Sequence, residues 1–169
     1  MSATEFPRPF DRRGITAEPV RLAATEAERA ALAERFEILA VKRLEAVLDL
    51  RAEGETIHVT GRLEADLVQS CAVSGEDLPV SVAEELTLRF VPARPIEAEE
   101  LELEAEELDE IPYEGTSLDL GEALAQTLGL AIDPYLTGPE ADKVRRDKGL
   151  LGEAPRGPLA EALAKLQRD

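Results

Sequence analysis

The side chains best suited to chemistry are scarce in this chain of 169 residues, which contains one cysteine and one histidine. Cys71 and His58 are separated by an odd number of positions along one extended run, so a strand directs them to opposite faces. This spacing disfavours a Cys–His nucleophilic pair. We expect Cys71 to pack beside a turn and His58 to lie on the wet face of a strand. Two such residues are also too few for a structural zinc site, which usually needs four ligands.

Carboxylates are abundant, and they are concentrated in one segment. Residues 97–114 contain ten carboxylates and no basic residue, so this segment carries more than half of the net charge of -17. It lacks the spaced ligands and the turning glycine of a calcium loop. A solvated loop is one interpretation of such a block. The other is a strip that binds a basic partner, with leucines adding apolar anchors: Glu99, Glu100, Leu101, Glu102, Leu103, Glu104, Glu106 and Glu107.

Basic residues cluster towards the two ends of the chain, where the net charge is close to zero. The net charge of -17 argues against generic nucleic-acid binding, because the field of the whole molecule repels phosphate. Local contact with RNA would use the basic residues at the two ends, namely Arg8, Arg12, Arg13, Lys143, Arg145, Arg146 and Lys148. No aromatic residues interleave the second group, so a solvated linker is the competing interpretation there.

Several classes of protein are excluded by composition and motif. A single cysteine cannot form an internal disulfide, which excludes a disulfide-rich secreted scaffold. The chain shows neither a glycine-rich phosphate loop nor a Gly-x-Ser-x-Gly elbow. Its apolar stretches are too short to cross a bilayer, and no secretory signal is apparent. We expect a cytoplasmic protein that is not an enzyme and has no metal, cofactor, membrane or small-molecule substrate.

Periodicity predicts an α+β fold, in which a curved or barrel-like antiparallel sheet packs with two or three helices. Strands are predicted near 20–23, 39–51, 56–68 and 79–91, with a bulge near Lys42, and a short edge strand ends at Tyr113. A capping box at Thr25 begins one helix, and a cap at Asp119 begins another. We expect an extended lead-in over 1–18, a domain over 19–136 with an acidic connection at 97–114, a linker over 137–157 and a helix over 158–169.

The order of these features resembles the YceD-like family, the large ribosomal RNA subunit accumulation proteins. The resemblance rests on GRLEADLVQSCAVSGEDLPVSVAEELTLRFVP, on SLDLGEALAQTLGLAIDPY after the acidic region and on PLAEALAKLQ. It covers about residues 19–169 and is closest to the alphaproteobacterial branch. Many members carry a Cys-x-x-Cys pair at the turn, whereas this chain has Cys71 and Ser74. Any zinc or redox role of that pair therefore does not carry over. The helix-start motif Asp119, Leu120 and Glu122 carries over, with structural capping as its expected role.

The resemblance implies a non-enzymatic ribosome-biogenesis factor that supports accumulation or processing of large-subunit ribosomal RNA. It would bind a ribosomal protein or a precursor particle, because a ribosomal protein is basic and the strip is acidic. One alternative is an acidic interaction adaptor unrelated to ribosomes. The other alternative is a metal-dependent RNA-processing enzyme that uses carboxylates of residues 97–110, although such a site needs a rigid cluster.

Overall fold

The structure is a computed structural model that describes residues 4–93 and 110–149. The chain divides into two compact units, Met1–Gln69 with Pro79–Asp133, and Ser70–Leu78 with Pro134–Asp169. The acidic strip at 99–107 and the predicted C-terminal helix at 158–169 lie outside the described residues.

A five-stranded sheet forms the centre of the first unit. Its strands are β2 (Val20–Ala23), β3 (Ala40–Glu53), β4 (Thr56–Ser70), β5 (Asp77–Pro92) and β6 (Glu110–Tyr113), in the order β2-β3-β4-β5-β6. The strands β3 and β4 form a tight hairpin in which Glu53 pairs with Thr56, and Gly54 has a φ of 64°. Glycine suits this turn because positive φ is costly for other residues. The predicted bulge is confirmed, since the register shifts between Val41 and Arg43.

Alternation along the strands creates one buried face. The inward side chains of β4 include Ile57, Val59 and Leu63, each with no exposed fraction. Two helices of the first unit, α1 (Glu26–Arg35) and α2 (Leu120–Ala131), add Leu32, Leu124 and Leu128 to the same core. The remaining α-helix described, α3 (Ala141–Asp147), belongs to the second unit. The α+β prediction is therefore confirmed.

A small two-stranded sheet orders part of the N-terminal lead-in. The strand β1 (Pro9–Asp11) pairs antiparallel with β7 (Ser117–Asp119), and a single 3-10 turn follows at Arg12–Gly14. Phe6, just before β1, is 1% exposed and belongs to the core. The lead-in is therefore part of the packed unit, although its sequence shows no periodicity.

Three features differ from the sequence predictions. The strand β6 runs parallel to β5, so the sheet is mixed and not purely antiparallel. Within the described residues, the five strands do not close into a barrel. The segment predicted as a linker, 137–157, contains α3, which begins directly after Pro139-Glu140, a pair that composition favours as a loop. Parallel pairing has no short-range sequence signal, because it depends on a partner set by the rest of the chain.

Candidate functional site

The helix-start motif of α2 is a junction between that helix and the N-terminal segment. Asp119 is the N-cap of α2, and its Oδ1 accepts from the amide of Glu122 at 3.0 Å. The same oxygen accepts from the amide of Arg8 at 3.1 Å, while the Leu120 amide donates to the Arg8 carbonyl at 3.1 Å. One carboxylate thus satisfies a free helix amide and also holds β1 beside β7.

Glu122 extends this junction to the end of α1. Its carboxylate accepts two hydrogen bonds from Arg35, at 2.9 and 3.0 Å, and Arg35 also donates to Glu5 at 2.9 Å. The bond to Arg35 holds the pKa of Glu122 below its ordinary value. Glu122 is the chief cause of the raised pKa of Arg35, and Glu5 contributes. The charged residues of the motif therefore join elements of the first unit to one another.

Arg8, a candidate for RNA contact, is held within the fold. Its guanidinium donates to both carboxylate oxygens of Glu28, at 2.6 and 2.8 Å, and to the Ala23 carbonyl at 3.0 Å. The hydrogen bond from Arg8 lowers the pKa of Glu28 to about 2. Glu28 also completes the capping box of α1, in which it accepts from the Thr25 amide at 2.7 Å. The Arg8 guanidinium also donates to the Pro7 carbonyl at 2.7 Å, so four of the N–H donors that could bind a phosphate are used within the fold.

The other basic residues of the first unit are arranged differently. Arg13 forms an ion pair with Asp11 through contacts of 2.6 and 2.9 Å, yet 76% of the Arg13 side chain is exposed. Arg12 donates to the hydroxyl of Tyr113 at 3.2 Å. Of the three N-terminal candidates, Arg13 is the one most open to solvent, and Asp11 neutralises part of its charge.

The basic candidates of the second unit lie on or next to α3. Arg145 pairs with Asp142 at 3.0 Å, and Lys143 lies 3.7 Å from Glu140. Arg146 and Lys148 are exposed near the C-terminal end of the helix, where positive charge suits the helix dipole. A role of these residues in RNA contact stays a prediction.

Cys71 lies in the turn of the second unit and is 4% exposed. Its Sγ accepts from the main-chain amides of Ser74 at 3.3 Å and Gly138 at 3.4 Å. Hydrogen bonds from Ser74 are the main cause that lowers the pKa of this thiol to about 6, and the Gly138 amide lowers it further, while burial opposes the shift. The Ala72 amide donates to the Leu136 carbonyl at 2.8 Å, so the two segments of this unit are joined on both sides of the sulfur.

A ladder of ion pairs on the wet face of the sheet was not predicted from the sequence. Arg43 donates to Asp66 at 2.7 Å, and it also contacts Glu64 at 3.3 Å and Glu45 at 3.2 Å. His58 lies on this sheet with its Nε2 3.1 Å from Glu53. The alternation of polar residues was visible in the sequence, but their pairing depends on the cross-strand register.

The described residues also bear on metal binding and membrane insertion. No group of three or more His, Cys, Asp or Glu in the described ranges is placed to hold a metal ion. Within the same ranges, none of the helices has the length and apolar character needed to cross a bilayer.

The fold and these sites define an acidic α+β protein in which charged motif residues fasten helices and the N-terminal segment to a mixed sheet. Residues 59–157 match the family model described as "Large ribosomal RNA subunit accumulation protein YceD". The match covers more than half of the chain, so the chain belongs to the YceD family and has a role related to the ribosome. Comparison with curated proteins returned no match, and neither did comparison with solved structures.

Proposed function

We propose that this chain is a non-enzymatic ribosome-biogenesis factor that supports accumulation or processing of large-subunit ribosomal RNA. The observation that carries the proposal is the family match, which includes the Cys71 turn, the acidic segment and the Asp119 motif. The protein would act in the cytoplasm by binding a ribosomal protein or a precursor particle.

Charge supports a basic partner. The acidic strip at 99–107 lies within a segment that has ten carboxylates and no basic residue. Such a segment attracts a basic partner at long range and speeds encounter. The basic residues of the described part are mostly paired with carboxylates of the same unit, as Arg8, Arg35 and Arg43 are. This internal pairing reduces the number of cations available to phosphate, which supports protein as the direct partner.

Two measurements test the proposal in growing cells. Tagged full-length protein is sedimented through a gradient, and deletion of its gene is followed by quantifying the large-subunit ribosomal RNA. We expect co-sedimentation with large-subunit precursors and a lowered amount of that RNA. Absence of the protein from precursors, together with unchanged RNA, would overturn the proposal.

The role of the strip is tested with two charge-matched variants. One carries Gln at Glu102, Glu104, Glu106 and Glu107, and the control carries Gln at the exposed residues Glu26, Glu34, Glu84 and Glu85. Both change the net charge by the same amount. We expect the strip variant to lose more association with precursors than the control does. Equal loss would show that total charge matters and would remove the strip from the mechanism.

A further inference from the structure

The strand β3 is longer than the strand that covers its outer edge. The strand β2 pairs with Glu45–Leu48, whereas β3 continues to Glu53. In the part of the chain that the structure describes, no strand pairs with residues 49–53 on that side. An unpaired strand edge presents amides and carbonyls that can bind another extended chain.

The direction of these main-chain groups follows from the register. The Ala24 amide donates to the Leu44 carbonyl at 3.0 Å, so the main-chain groups of Leu44 face the β2 side. Alternate residues of an antiparallel strand face the same neighbour. The amides and carbonyls of Leu50 and Ala52 therefore point outward at the uncovered edge, and those of Arg51 point towards β4.

The segment that precedes β2 does not continue along this edge. The Glu18 amide, which would face Leu50 if β2 continued, donates to the Thr16 hydroxyl at 3.3 Å and not to β3. Ile15, Thr16 and Ala17 instead line a groove of about 930 Å³ together with residues 49–53. Ile15 packs on the core and Leu50 is 8% exposed, so these two side chains supply apolar surface in a groove that His58 and Thr60 also line.

The charges around the groove indicate which kind of chain would bind there. Asp49 and Glu53 are exposed carboxylates in its lining, against the guanidinium of Arg51 and the imidazole of His58, which lies 3.1 Å from Glu53. The exposed carboxylates Glu18 and Glu55 follow and precede lining residues in the sequence. We propose that the edge of β3 at Leu50 and Ala52 binds an extended basic segment of a partner protein by strand addition. An apolar residue of that segment lies over Leu50, and basic residues lie opposite Asp49 and Glu53. The basic character of the partner rests on the proposed function.

A second copy of this chain fits the edge less well. An antiparallel pairing that matches Leu50 of one copy with Ala52 of the other places Arg51 opposite Arg51. It also places Asp49 opposite Glu53. Like charges directly opposite each other destabilise a strand pair. In this register, which pairs all five uncovered residues, the charges on β3 therefore favour a basic partner over the chain itself.

The probe is an acetylated and amidated peptide of alternating lysine and valine, added to the full-length protein and followed by amide hydrogen exchange. We expect the exchange of the Leu50 and Ala52 amides to slow when the peptide binds. A peptide of alternating glutamate and valine should give no protection. Binding of the lysine peptide that leaves both amides unprotected would overturn the proposal.

Ala52→Pro is the sharpest variant, because it removes one outward amide and no bond of the β3–β4 ladder. Loss of one hydrogen bond should weaken peptide binding about fivefold. Ala52→Thr keeps the amide and is the matched control, with thermal unfolding to verify that both variants fold. Equal affinity of the two variants would contradict strand addition.

Three further outcomes separate the alternatives. Protection of Leu50 and Ala52 without peptide, growing with protein concentration and accompanied by dimers in sedimentation equilibrium, would replace the basic partner with a second copy. If Ala52→Pro loses the peptide but still sediments with ribosomal precursors as the unmodified chain does, the edge proposal falls and the proposed function stands. If the unmodified chain binds the peptide at this edge but never sediments with precursors, the proposed function falls and the binding edge stands.

Discussion

The main-chain amide of Arg8 donates to Oδ1 of Asp119 at 3.1 Å, across 111 positions of sequence. The same oxygen caps α2, so one carboxylate connects the beginning of the chain to the helix of the family motif. The charged side chains of the motif therefore form contacts within the fold. This arrangement explains why an Asp at the start of α2 is accompanied by an ordered N-terminal segment.

Replacing Asp119 with Ala should lower the free energy of unfolding. Removal of an N-cap acceptor costs about 0.5–2 kcal/mol, and the loss of the Arg8 contact adds to it. Asp119→Asn keeps an acceptor oxygen and serves as the control, with a smaller loss expected. Urea unfolding gives the free energies, and amide exchange at Arg8 reports on the second bond. Equal stability of the Ala variant and the unmodified chain would contradict the assigned cap.

Gly121→Ala should destabilise the protein, although alanine normally favours a helix over glycine by about 1 kcal/mol. A Cβ at this position would lie 1.8 Å from the carbonyl oxygen of Phe6, which is main chain and cannot turn away. Gly129→Ala is the matched control in the same helix, where the nearest atom is in the Phe36 ring at 2.9 Å and can shift. The midpoint temperature of thermal unfolding should be lower for Gly121→Ala than for Gly129→Ala. The reverse order would show that the N-terminal segment does not pack on α2.

The pair of Arg8 and Glu28 predicts a loss of stability in acid. The pKa of Glu28 is lowered from 4.5 to about 2 by the bond from Arg8, so its contribution is complete above 4.5 and is lost as the pH falls towards 2. Arg8→Met should remove this part of the pH dependence. Urea unfolding at a series of pH values between 5 and 2 measures it. If the free energy of unfolding decreased equally with pH in Arg8→Met and in the unmodified protein, the pairing of Arg8 with Glu28 would be contradicted.

Cys71 should titrate well below an ordinary thiol. Its pKa of about 6, against 9.0 for a free thiol, means that the thiolate stabilises the folded turn above pH 9 and that this contribution is lost as the pH falls through 6. Ser74→Ala should raise the pKa, because the hydrogen bond from the Ser74 side chain is the largest cause of the lowered value, whereas the exposed Ser70→Ala should not. Thiolate absorbance in the ultraviolet measures it directly, since this is the single cysteine of the chain. A Cys71 thiol pKa near 9 in the unmodified protein would contradict the hydrogen bonds at Sγ.

Local pattern was sufficient to predict most of the elements. The alternation from Ile57 to Leu67 identified β4 and its buried face, and the spacing of Thr25 and Glu28 identified the capping box that the structure contains. These signals are short-range, because a strand face repeats every two residues and a cap spans four. The segment around Lys143 was predicted as a linker because glycine, proline and charge dominate its surroundings, and α3 forms there nevertheless.

The contacts of the candidate sites depend on distant residues and were not predictable in the same way. Arg8 was proposed for RNA contact because it is basic and near the N-terminus, but its partner is fixed by the packing of β1 against β7. The lowered pKa of Cys71 depends on Gly138 as well as on Ser74, and 67 positions separate Cys71 from Gly138. The uncovered edge of β3 depends on where β2 ends, which the pattern of β3 does not contain.

The most direct test of the proposed function is sedimentation of the tagged full-length protein with ribosomal precursors, compared with its four-residue strip variant and the charge-matched control. We expect the unmodified chain and the control to sediment with large-subunit precursors, and the strip variant to remain mainly at the top of the gradient. Absence of the unmodified chain from every precursor fraction, with large-subunit ribosomal RNA unchanged on deletion of the gene, would contradict it.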